Sequence, residues 1–152
     1  MKKNKLLIEQ LSKKIQPFES ILSTPKPTIG WIKTIRTSIG MSLEQLGGKL
    51  NITRQSAQNL EKREAKGSIT LKSLEEAANA IDMQLVYGLV PKDGSIEKLI
   101  ERKAHQLAIK IVMRTSGTMK LEDQENSPER IKKAIAERTS EIVDELPKML
   151  WD

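Results

Sequence analysis

Cysteine is absent from the 152 residues, which excludes a disulfide framework and any thiolate metal site and fits a chain that meets no oxidising compartment. Histidine occurs once, as His105. Nucleophilic triads and His-based metal sites therefore lack raw material, and the expected place of His105 is a helix surface or interface. Aromatic residues make up 3% of the chain, with a single Phe, so the core must be built from Leu, Ile, Val, Ala and Met, a palette suited to helices. Long apolar runs are missing as well. Only Leu6 to Ile8 follow the first lysines before Glu9 interrupts, which is too short for a signal peptide or a membrane span. A cytoplasmic chain without a membrane is the expectation. Gly47-Gly48-Lys49 lacks the preceding strand and the following Ser or Thr of a phosphate loop. The carboxylate pairs Glu75-Glu76 and Glu122-Asp123 read as solvated helix positions. No enzyme activity, metal or cofactor is expected. The scattered Met residues read as core filling, Trp31 as a packing anchor, and Trp151 as a side chain that docks on the body or on a partner.

What is present is positive charge, unevenly placed. The net charge is +3 over residues 1–25, +5 over 26–67 and −2 over 68–152, summing to +6. All of the basic excess falls in the first 67 residues, an asymmetry suited to a polyanionic partner.

Leu7, Leu11, Ile15, Phe18 and Leu22 form a stripe at helical spacing, which Pro17 should kink or split. Residues 1–25 thus read as an N-terminal helical extension, and two prolines in Ser23–Pro27 mark a connector. A helix is predicted from Thr28 to Gly40. Ser42, Thr53 and Thr70 are the caps of three more, Gln45 completing a capping box with Ser42. In 83–91 the alternation of Leu85, Tyr87 and Leu89 predicts a short strand ending at Pro91. Residues 95–152 form a C-terminal helical region. Ser95 caps a helix expected to end near Arg114, with Gly117 a break, and Ser127-Pro128-Glu129 starts a last helix that stops before Pro147.

The informative stretch is 40–82. A helix-turn-helix needs a short helix, a clean break, and a second helix that is apolar inside and polar outside. Leu43, Leu46 and Leu50 supply the inner face of the first helix, and Ile52 continues the core through the turn. Gly47 permits close approach, and Asn51 suits a left-handed exit. Ala57 and Leu60 turn inward in the second helix, leaving Arg54, Gln55, Gln58, Asn59 and Lys62 outward. Those types pair with base edges, Arg with guanine and Gln or Asn with adenine. No acid occurs from 45 to 60, so this face and its helix N-terminus suit phosphate.

Residues 28–82 resemble the phage-repressor and XRE group of helix-turn-helix proteins. The resemblance implies a five-helix repressor-like domain; with the one short strand and the flanking N- and C-terminal helices read above, the chain is expected to be mainly all-α. It implies that Ser42 and Thr53 are caps touching phosphate, that Arg54, Gln55, Ser56 and Asn59 face bases, and that Lys62 and Arg63 contact the backbone. Arg36 and Glu61 match the ion pair that ties the first helix to the recognition helix. Leu43 departs from the pattern, standing where the group has Gln. Gly48 directly follows Gly47, each costing a helix about 1 kcal/mol relative to Ala.

A narrower resemblance is carried by GWIKTIRTSIGMS (30–42), RQSAQNLEKREAKGSITLKSLEEAANAIDMQLVYGLVP (54–91) and MKLEDQ (119–124). These segments are similar to the family called mobile mystery protein A, whose members are encoded beside a protein with a Fic domain. The expectation is a transcriptional regulator, a repressor, binding a double-stranded DNA operator. An antitoxin-like protein that neutralises a Fic-domain partner through its flanking helices is the alternative. A homodimer is expected, because such readers bind paired half-sites and because the 83–91 strand and striped helices lack mates within the chain.

Overall fold

The computed structural model describes residues 2–121 and 127–152. The Glu122-Asp123 pair and the end of the MKLEDQ segment lie outside the described residues. The chain divides into two compact units, Ser20–Gly88 and the pairing of Met1–Glu19 with Leu89–Asp152.

Four α-helices occupy the first unit: α2 (Trp31–Ser38), α3 (Leu43–Leu50), α4 (Arg54–Lys66) and α5 (Leu71–Ala80). All four fall within 28–82, where the resemblance implies five. Ile32, Leu46, Ala57, Leu60, Ala77 and Ile81 form its core, one or two from each helix and the residue closing α5. Leu43 and Leu50 pack half-buried at its edge. Ile52 does not continue the core; it is exposed, and its carbonyl lies against Gly47 instead. Helix α2 is shorter than the predicted 28–40. Gly30 sits at φ 88°, its N–H bonded back to the Pro27 carbonyl, so a turn occupies the residues before Trp31. Trp31 itself is exposed rather than an anchor.

The predicted strand at 83–91 is not formed, and no residue from Met83 to Pro91 has regular secondary structure. A strand requires the backbone of another strand, and among the described residues none is available. The alternation does not separate buried from exposed positions either, since Val86, Tyr87 and Leu89 are all exposed.

The second unit contains α1 (Lys2–Ile15), α6 (Ile96–Leu121) and α7 (Pro128–Glu145). Pro17 lies in the 3-10 segment Gln16–Ser23 that follows α1. Only part of the N-terminal stripe is covered, Ile15 and Phe18 being half-buried. Leu7 and Leu11 are exposed, and Ile8, one position over, packs on the core. That core is Ile100, Ala104, Ala108, Ile142 and Leu150. Ala104 and Ala108 on α6 allow close approach of α7, and Ile100, Leu107 and Ile111 of the same helix fill the space around them. It also outruns its expected end at Arg114 and passes through Gly117, where a Cβ would meet open space. One exposed Gly lowers helix stability by only about 1 kcal/mol. Leu150 anchors the C-terminal 3-10 turn, whereas Trp151 stays exposed. Arg102 grips Asp93 in the preceding turn through two bonds of 2.7 and 3.0 Å. Those bonds hold the Asp93 carboxyl below its usual range and raise Arg102.

Candidate nucleic-acid interface

The geometry of the first unit begins with caps. Ser42 Oγ accepts the Gln45 N–H at 3.1 Å while Gln45 Oε1 accepts the Ser42 N–H at 2.8 Å. Two otherwise orphaned donors are thereby satisfied. Asn51 closes α3 in the left-handed region, φ 55° and ψ 39°. Thr53 then opens α4, its Oγ1 accepting the Ser56 N–H at 3.0 Å and donating to Ser56 Oγ at 2.9 Å. The angle between the two helices is set where they nearly touch. A Cβ on Gly47 would stand 2.7 Å from the Ile52 carbonyl oxygen, so only glycine lets the turn close here.

Helix α4 is fixed from behind by two carboxylates that sit one turn apart. Arg36 donates from Nε to Glu61 Oε2 at 2.9 Å and from Nη2 to Oε1 at 3.0 Å, and its Nη1 reaches the Met41 carbonyl. Both side chains are buried, at 8% and 4% exposure. Glu64 is buried further and caps α2, its Oε1 accepting the Ile32 N–H at 2.8 Å. Its Oε2 lies 3.2 Å from Lys26 Nζ but outside hydrogen-bonding geometry, so the attraction there is coulombic. Gly30 makes room, because a Cβ on it would lie 2.7 Å from that oxygen.

With Ala57, Leu60, Glu61 and Glu64 turned inward, the opposite side of α4 is free. Arg54, Gln55, Ser56, Asn59, Lys62 and Arg63 are all exposed there, and Gln58 is half-buried at one flank. These residues span the exposed half of the helix, Arg54 at one margin and Ser56 and Arg63 at the other. Gln55 Nε2 leans toward Asn59 Oδ1 at 3.4 Å, and no apolar side chain interrupts the line. Ser42 is half-buried and Thr53 exposed, each hydroxyl occupied by its cap.

Three residues of this region escaped the sequence reading. Lys66 is exposed one turn beyond Lys62, and helical spacing alone places it on the same line. Glu64 differs from a solvated glutamate only in lying three residues after Glu61, a weak signal. Glu44 lies just outside the acid-free stretch 45–60, yet its Oε1 comes within 3.2 Å of Arg54 Nε. The exposed face therefore meets one carboxylate that sequence spacing does not show. In the second unit, a groove lined by Ile8, Ile100 and Val143 has the opposite charge. Glu9, Glu97, Glu101 and Asp144 outnumber Lys5 around it, which disfavours a polyanion.

No curated protein matches the chain, and no solved structure matches it either. Residues 32–87, the stretch from α2 through α5 and just beyond, match the family model described as Helix-turn-helix, and this segment is accordingly similar to DNA-binding helix-turn-helix regulators of the XRE type.

Proposed function

We propose that this protein is a sequence-specific transcriptional regulator, a repressor that occupies a double-stranded DNA operator by laying α4 in the major groove. One observation carries the reading. Arg54, Gln55, Asn59, Lys62 and Arg63 share an exposed face on a helix whose other face is locked by Glu61 and Glu64. Rigid placement matters because a base contact has to be made at hydrogen-bond distance, whereas a phosphate contact tolerates a swinging side chain. Gln55 and Asn59 offer paired donor and acceptor groups for adenine, and Arg54 offers two donors for guanine. Lys62, Arg63 and Lys66 follow along the helix as cations for the backbone, and Ser42 and Thr53 stand at helix N-termini where phosphate is favoured.

The regulator acts as a homodimer in this reading, because one helix of this length reads only a few base pairs. Exposed Leu6, Leu7 and Leu11 on α1 and Met113 on α6 support self-association. The same exposed residues support a second reading, neutralisation of a Fic-domain partner by the flanking helices. Selection from a randomised duplex pool tests the proposal. It should enrich two inverted half-sites with centres about 34 Å apart, or a multiple of that spacing. A pool that remains unenriched would remove the operator-binding reading and leave the partner-binding one.

A further inference from the structure

We propose that Glu44 is a specificity-determining residue for the DNA reading assigned above to α4, its carboxylate paired with the Nε edge of Arg54 so that the other edge meets guanine rather than phosphate. The inference rests on that reading of function. Glu44 lies in the first turn of α3 and Arg54 in the first turn of α4, so the pair spans the turn between the two helices. Glu44 Oε1 is 3.2 Å from Arg54 Nε, outside hydrogen-bonding geometry, so the attraction between them is coulombic.

Stability does not explain the pair. Both side chains are about two-thirds exposed, 64% and 68%, and ion pairs this open to solvent contribute little to stability. The location is also singular. Of the three acids between residues 40 and 66, Glu61 and Glu64 are buried and engaged with α2 and the residues before it. Glu44 alone is exposed, and it has drawn the first side chain of the DNA-facing helix.

The chemistry of the guanidinium gives the pairing a consequence. Arginine has a side edge that includes Nε and an end edge formed by its two terminal nitrogens, and either can make a bidentate contact. With Nε beside Glu44, the end edge remains open to the O6 and N7 acceptors of guanine. Guanine is neutral and tolerates a nearby carboxylate. Phosphate does not, because Glu44 repels it, and the repulsion grows as the docked duplex excludes water and lowers the local dielectric. An unpaired Arg54 would gain affinity from phosphate on any duplex, whereas the paired one gains it chiefly where guanine is presented.

The test compares the full chain with Glu44→Gln, Arg54→Gln and the double variant, on the selected operator and on random duplex at several salt concentrations. Glu44→Gln should bind random duplex several-fold more tightly, with a salt slope steeper by about one ion per protomer. It should also lower the operator-to-random ratio and relax the guanine preference at one position of each half-site. In the Arg54→Gln background that preference is already lost, and the second substitution should leave base preference where it is. An unchanged ratio and guanine preference in Glu44→Gln would overturn the proposal, as would an equal loss of preference with and without Arg54. A wild-type chain that enriches no sequence overturns the underlying reading, and the proposal falls with it. Wild-type enrichment with an indifferent Glu44→Gln overturns the proposal alone.

Discussion

Glu61 and Glu64 are spaced so that both turn from α4 into the protein, and each takes hold of a different end of α2. Glu61 meets the Arg36 guanidinium in the last turn, and Glu64 receives the Ile32 N–H in the first. Buried charges are tolerable here because nearly every donor and acceptor is matched. Removing one partner strands the other. Arg36→Met or Glu61→Gln alone should destabilise the chain by about 3–5 kcal/mol, while the double replacement should cost less than the sum of the two. Urea unfolding of the four members of the cycle measures this, and additive losses would show that the two side chains act independently. Such contacts are poorly legible in sequence. Arg36 and Glu61 stand 25 residues apart, with no local pattern linking them, so only the family resemblance pointed to them. Glu64 had only its spacing from Glu61 as a pointer, and Lys26 had none.

Elements were easier to read than contacts wherever the signal was local. Capping by Ser42, Thr53, Thr70 and Ser127 is written in the three residues that follow each cap, because the hydrogen bond closes over that distance. The 83–91 segment shows the limit. Its alternation satisfies the local preference for a strand, but strand formation depends on a partner backbone that sequence does not supply. The exposed part of the N-terminal stripe has a related reason. Leu7 and Leu11 have the right spacing, but which side of α1 is covered depends on where α6 lies, and Ile8 and the Ser12 bond to Glu97 decide it. The adjacent glycines of α3 separate local propensity from packing in one experiment. Gly47→Ala drives a methyl into the Ile52 carbonyl at 2.7 Å and should destabilise by about 1–3 kcal/mol. Gly48→Ala meets nothing within 4 Å and should stabilise by about 1 kcal/mol through helix propensity. Thermal unfolding of the two variants should move the midpoint in opposite directions. A fall for both would mean that α3 owes nothing to propensity at Gly48.

At the scale of the whole molecule, each unit carries a net +3, but the charge is arranged differently within them. Residues 26–67, which hold α2, α3 and α4, carry +5 of the net +6, and the groove of the other unit is rimmed by acids. The helix-turn-helix was legible because its grammar is local and repeated, a cap, an apolar inner face, a left-handed exit and a polar outer face. The central claim is that α4 distinguishes sequences, and Gln55→Ala compared with Lys62→Ala tests it most directly. Titration of both variants on operator and random duplex, over several salt concentrations, is the measurement. Gln55→Ala should cost about 1–3 kcal/mol on the operator and little on random duplex. Lys62→Ala should weaken both alike and reduce the salt slope by about one ion per protomer. Unchanged affinity for both duplexes in both variants would contradict groove reading by α4.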